Sequence, residues 1–194
     1  MTKKLFLILT FSIIFFGCAL PKIYYFEAKP FIEAYKEKVN KNLTINFGEA
    51  VKDSFAIKTA GLKDRDIRQF RKSLESSLKN TFEGSYNSVN FSNTTNKDGI
   101  SLLIVKMEPN WVKKTIQNTV IGTTNNVQTY TKYELAANIS YQVIVYSNGN
   151  KIKVIDKEVL SDKSTFKAKE DPEILMDGIK VMCQELYKEV INIK

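Results

Sequence analysis

The stretch that most constrains this chain is the alternation from Tyr133 to Tyr146, closed by Asn148-Gly149. Leu135, Ala137, Ile139, Tyr141, Val143 and Val145 recur at every second position, with Glu134, Asn138, Ser140 and Gln142 between them. A period of two places successive side chains on opposite faces, so the pattern predicts a strand buried on one side and wet on the other, the signature of an antiparallel sheet. Asn-Gly suits a two-residue hairpin, because both positions tolerate positive φ. Counting outward from that turn pairs Val145 with Ile152 and Val143 with Val154, which would put all four on the core side.

The rest of the chain must supply partners for this hairpin. Leu43, Ile45 and Phe47 alternate with Thr44 and Asn46 and predict a half-buried strand, with a second extended piece at Ser54 to Lys58. From Lys63 to Phe82, apolar residues at Ile67, Phe70, Leu74, Leu78 and Phe82 predict a helix. Asp64 and Asp66 would occupy its first turn and Gly84 would cap its end. Arg65, Arg68, Arg71, Lys72 and Lys79 fall on the other faces and read as a solvated charge stripe. Residues 84–99 read as a Ser/Asn/Thr-rich connection. A strand from Ile100 to Met107 follows, interrupted by Pro109, and a polar segment then forms a long hairpin. Its tip, Gly122-Thr123-Thr124-Asn125-Asn126, is a candidate partner-contact loop. Asp171-Pro172-Glu173 starts a second helix, whose stripe is Leu175, Ile179, Met182, Leu186 and Val190, widened by Ile174, Cys183, Tyr187 and Ile191. Gly178 within that stripe permits close packing on the sheet. The expected fold is α+β, an antiparallel β-sheet with two helices packed on one face.

Chemistry is scarce in this sequence. Histidine is absent, which excludes histidine-based triads and histidine-ligated metals. Neither GxGxxG nor GxxxxGK[ST] occurs, so no cofactor, metal or catalytic residue is assigned. Asp156, Glu158 and Asp162, or Asp64 with Asp66, are weak material for a carboxylate-dependent hydrolase of cell-wall polymer, the alternative function. Such a pair needs a cleft that raises one pKa. Ser164 beside Lys163 is discounted as a Ser/Lys pair, because neighbours on a strand point to opposite faces. Cys183 reads as a packed thiol.

The first twenty residues set the location. Lys3 and Lys4 precede an apolar run, Leu5 to Phe16, that ends in Gly17-Cys18. The run is shorter than the roughly 20 residues needed to cross a bilayer, and it has the layout of an export signal. Gly17 and Cys18 resemble the cleavage and lipidation site of a bacterial lipoprotein precursor. That resemblance implies cleavage between them, acylation of Cys18, palmitate included, and a mature protein held on the cell membrane or outer membrane, outside the cytoplasm. Ala19 at the next position is consistent with outer-membrane sorting in that family. The expected organisation is a signal peptide at 1–17, a lipidated tether at 18–42 and one α+β domain at 43–194.

Of 194 residues, 177 would remain after cleavage before Cys18, and the formal charge of +8 would fall to +6 as Lys3 and Lys4 leave. A moderately basic domain outside the cytoplasm has no nucleic acid to meet. The layout also resembles small envelope lipoproteins that accompany outer-membrane assembly machines, a likeness of fold. The expected role is non-enzymatic: a binding or accessory subunit for an envelope protein complex or an anionic glycolipid, tethered through Cys18.

Overall fold

The computed structural model describes residues 38–57, 65–94, 98–121, 127–166 and 171–193. In chain order the elements are β1 (Val39–Phe47), β2 (Phe55–Ile57), β3 (Arg65–Ile67), α1 (Phe70–Phe82), β4 (Tyr86–Phe91), β5 (Ile100–Ile121), β6 (Val127–Ser147), β7 (Asn150–Leu160) and α2 (Asp171–Ile191). Five strands form one sheet in the order β4-β1-β5-β6-β7, and β2 with β3 forms a separate hairpin. The two helices lie on one side of the large sheet, so the α+β layout stands.

The sheet is mixed, where a purely antiparallel one was expected. β1 runs parallel to both neighbours, with Leu43 opposite Val89 on β4 and opposite Ile100 on β5. Parallel neighbours need a crossover, and α1 supplies it between β1 and β4. β4 itself lies inside the stretch read as a connection, its Tyr-Asn-Ser-Val-Asn-Phe sequence too polar to stand out. Flanked on both sides, β1 is buried on both faces: Leu43 and Ile45 are fully buried, and Thr44 and Asn46 nearly so. It starts at Val39, so Val39 to Asn42, assigned to the tether, belong to the sheet.

The first helix is shorter than its periodicity predicts. Ile67 is buried as expected, but as part of β3 opposite Phe55, and Asp66 pairs with Ala56 in the same hairpin. The first turn of α1 therefore contains no acidic residue. A distant residue satisfies it instead. Asp53 accepts the Phe70 amide on its carbonyl at 2.9 Å and the Arg71 amide on Oδ1 at 3.1 Å, which places a carboxylate at the positive end of the helix dipole. The predicted stripe holds from there, with Phe70, Leu74, Leu78 and Phe82 fully buried. At the far end Glu83 is the cap in an ordinary helical conformation, and Gly84 is not among the glycines with positive φ.

The β6–β7 hairpin turns where expected, with Asn148 at φ 49° and Gly149 at φ 79°. The pairing next to the turn follows the count, Tyr146 opposite Lys151, and then a bulge shifts it by one residue. Val145 meets Lys153 and Val143 meets Ile155. A one-residue slip exchanges the two faces of a strand. Ile155 is consequently buried, whereas Ile152 and Val154 are 47% and 45% exposed. The slip has a polar use: Lys153 and Lys157 now face α2 and both grip the carboxylate of Glu189.

The predicted stripe of α2 is buried in full, from Leu175 through Val190, together with Ile174, Cys183, Tyr187 and Ile191. Gly178 is where this helix touches β6. A Cβ there would stand 3.1 Å from Ala137 Cβ and 3.4 Å from Ile139 Cγ1. β5 passes through Pro109 without a break. Its pairing with β1 ends at Phe47–Ile104, so Pro109 sits where β5 has become an edge strand and a missing amide costs no ladder bond.

Candidate functional site

Topology gives the domain two unlike ends. β1 begins at Val39, and the last helical residue of α2, Ile191, lines a cavity of about 330 Å³ with Val39, Lys41 and Ile193. Both ends of the described domain therefore meet there. β5 runs parallel to β1 and continues seventeen residues past Ile104, its last partner on that strand. The extension consequently projects from the opposite end, beyond the carboxyl terminus of β1.

That extension is a two-stranded arm. Beyond the row Asn110–Asn138–Leu160, β5 and β6 pair only with each other in the large sheet, from Trp111–Ala137 to Ile121–Val127. Eleven residues per strand at about 3.4 Å each give a length of roughly 35 Å. The base is braced by the segment after β7: Leu135 and Thr165 exchange backbone bonds of 2.6 and 2.9 Å. Ser164 donates to Glu134 at 2.6 Å, and Lys132 lies 3.7 Å above the Phe166 ring. Ser164, and Lys132 after it, hold the Glu134 carboxyl below its usual range. Outside this brace the arm carries exposed Tyr130 and Tyr133 at 51% and 62%, with Phe166 at 62% beside them. The candidate contact residues Gly122, Thr123, Thr124, Asn125 and Asn126 join the arm's two strands and lie outside the described residues.

A second feature occupies the same end. An open cleft of about 600 Å³ is lined by Asn46 and Phe47 at the end of β1, Glu49 just beyond, Arg71 on the first turn of α1, and Asn93 and Thr94 after β4. The Arg71 guanidinium stands 5.3 Å from the Phe47 ring centroid and donates to the Phe47 carbonyl at 3.3 Å. Phe47 in turn stacks against Phe91 at 6.1 Å. Asn46 is 4% exposed, and its Oδ1 has no hydrogen-bond partner. Carboxyl ends of parallel strands are common ligand positions in open sheets. Sequence reasoning missed this cleft: Asn46 reads as the wet side of a strand and Arg71 as part of a solvated stripe, and no local signal joins residues 25 positions apart.

The other singled-out residues do not converge. Asp156 accepts from Gln142 at 2.9 Å and Glu158 from Asn138 at 3.4 Å, both on the open side of the sheet. Neither cavity above contains two carboxylates. Ser164 gives its hydroxyl to Glu134, away from Lys163. Cys183 is buried, and desolvation pushes its thiol up to about 12, far from a reactive thiolate. Among the described residues no group of histidine, cysteine or carboxylate side chains could hold a metal ion. Gly17 and Cys18 lie outside the described residues, as does Asp64. Among the described residues no helix is long and apolar enough to cross a membrane.

The fold thus defines an α+β protein with a mixed five-stranded sheet, two helices on one face and an overlong β-arm. A Xanthomonas campestris protein assigned to the family DUF330 shares this fold, with a TM-score of 0.52 at 10% identity over 88% of this chain and 94% of that one. Two weaker likenesses are to bacterial lipoproteins. One is a minor lipoprotein from Acinetobacter baumannii (TM-score 0.43, 14% identity, 79% of this chain and 92% of that one). The other is rare lipoprotein B from Shewanella oneidensis (TM-score 0.38, 14% identity, 76% and 92%). No protein-family model and no curated protein matches the sequence.

Proposed function

We propose that this chain is a lipoprotein of the bacterial envelope, anchored through acylated Cys18, that acts without catalysis as an accessory subunit and meets a protein partner with the β5–β6 arm. The observation that carries the reading is the placement of the arm. It leaves the sheet at the end opposite Val39, where the chain from Cys18 joins the domain. A membrane-held domain built this way reaches outward. Beyond Ala136 and Ala137, which are buried at its base, the arm is a poor investment as pure structure, since it exposes Tyr130 and Tyr133. Tyrosine offers broad contact area at small entropic cost and is enriched where proteins meet. Beyond the Leu135–Thr165 bridge no third strand pairs with the arm among the described residues, and a partner's strand can extend its edge there.

A photocrosslinking residue at Tyr133, introduced in whole cells, tests the arm. A discrete adduct from Tyr133, with none from the same residue at Asn150 at the other end of the sheet, is the expected result. No adduct from Tyr133, or equal adducts from both positions, overturns the partner role. Metabolic labelling with palmitate tests the anchor separately: label on the wild type and none on Cys18→Ser is expected, and equal labelling of the two refutes it.

A further inference from the structure

The outer edge of β5 along the arm is open over one short stretch, and we infer that it takes an extended, acidic peptide segment of the protein partner, added as a third strand beside Lys113, Thr115 and Gln117. This rests on the arm's partner role and names the chemistry of what the arm meets. Backbone direction comes first. Leu135 spends both its N–H and its C=O on Thr165, and its cross-strand partner on β5 is Lys113. In an antiparallel pair the two residues exchange both bonds or neither, so Lys113 also turns both groups away from β6. The same holds at every second residue, at Trp111, Thr115 and Gln117. Trp111 agrees: its amide donates at 2.8 Å to the Asn110 side chain, outside the ladder.

Below this stretch the edge is closed. β1 pairs with β5 only as far as Ile104, Pro109 has no N–H to offer, and the Asn110 carboxamide occupies the Trp111 amide. Lys113, Thr115 and Gln117 are exposed, and among the described residues nothing pairs with their outward N–H and C=O groups. Outward groups that recur every second residue, about 7 Å apart, match the backbone of another extended chain. A lipid headgroup has no such repeat.

Charge selects the partner's sequence. From Pro109 to Tyr133 the chain has three lysines, Lys113, Lys114 and Lys132, and neither aspartate nor glutamate. Glu134, which follows this stretch, already accepts from Ser164 at 2.6 Å and pairs with Lys132 at 3.3 Å. Lys113 has no carboxylate partner among the described residues. It shares a face with exposed Tyr133, the residue opposite Thr115. Directly opposed residues on neighbouring strands favour opposite charges and disfavour like ones, so a segment with a carboxylate opposite Lys113 fits and one with a lysine there is repelled.

The test is fluorescence anisotropy of a labelled nine-residue peptide of threonine and valine with two central glutamates, titrated with the full chain in detergent. Its comparators are the same peptide with two central lysines, and the glutamate peptide N-methylated at alternate residues, which keeps the charge and loses backbone donors. The glutamate peptide is expected to bind at least tenfold tighter than either. Lys113→Glu is expected to remove its advantage over the lysine peptide. Thr115→Pro, which deletes an outward N–H and no bond to β6, is expected to weaken it at least tenfold, whereas Thr115→Ala, and Lys106→Gln below Pro109, leave it within twofold. No saturable binding overturns the site. Undiminished binding of the N-methylated peptide, or by Thr115→Pro, overturns strand addition, and equal binding of the lysine peptide overturns the acidic class. Displacement of the peptide by phosphatidylglycerol vesicles assigns the lysines to a lipid surface and overturns the peptide partner. Failure here alongside a Tyr133 adduct in cells overturns the acidic strand alone; without the adduct the partner role falls with it.

Discussion

β6 takes part in two hairpins, and the same alternating pattern leads to opposite results in them. Toward β7, residues Ala137, Ile139, Tyr141, Val143 and Val145 are fully buried beneath the helices. Toward the arm, Tyr133 on the same strand is 62% exposed. Backbone pairing runs the length of both halves, broken only by the one-residue bulge near the β6–β7 turn, so hydrogen bonding does not distinguish them. The difference is a second layer. α2 covers one half, and Gly178 lets it approach Ala137 and Ile139 to within contact distance. In the uncovered half apolar burial contributes little, and persistence there depends on the brace formed by Ser164, Thr165 and Phe166. A strand pattern therefore specifies which side chains share a face; whether that face becomes core or a contact surface depends on what packs against it.

Substitutions can break this contrast. The largest effect is expected from Ile139→Ala, which opens a cavity beneath α2 and costs about 2–5 kcal/mol, against a change within about 0.5 kcal/mol for Tyr133→Ala on the arm. Urea titrations of the two variants measure both, and equal losses would show that the arm is core after all. Next comes Gly178→Val, which crowds Ala137 and Ile139 and is expected to lose about 1–3 kcal/mol in the same assay. Were it neutral, the close helix–sheet contact would have slack.

The third test uses pH. Hydrogen bonds from Lys153 and Lys157 pull the Glu189 carboxyl down to about 2 from an unfolded value near 4.5. Because the folded value is the lower one, this contribution is complete above about pH 4.5 and disappears as the pH falls through about 2. With all three side chains a quarter to two-fifths exposed, it amounts to about 1 kcal/mol after solvent screening. Stability of the wild type should fall more than that of Glu189→Gln between pH 5 and 2. Parallel curves would mean that the bulge-directed lysines add nothing. The smallest effect is expected at Tyr141, whose buried hydroxyl lacks a partner and whose pKa is raised by burial and then by Glu185. Tyr141→Phe removes an unsatisfied group, so thermal stability should stay level or rise. A loss above about 1 kcal/mol would reveal an ordered water at that hydroxyl.

The sequence by itself determined the β6 alternation, the Asn148-Gly149 turn, the whole buried stripe of α2 and the apolar face of α1 from Phe70 onward. Each is a short-range pattern, decided by neighbours two to four residues apart. Tertiary structure decided the rest. β1 became an interior parallel strand through pairing with residues 46 to 57 positions away. The helix predicted from Lys63 gave up its first turn because Ile67 gains more by pairing with Phe55 and burying itself in β3. One extra residue at Ile152 exchanged the faces of β7, exposing Val154 and sending Lys153 and Lys157 to Glu189. The cleft belongs to the same class of outcome: Asn46 and Arg71 line one cleft only because α1 starts beside the carboxyl end of β1. Local periodicity encodes which side of an element is apolar; strand order, register slips and the meeting of distant polar groups depend on contacts that no local window contains.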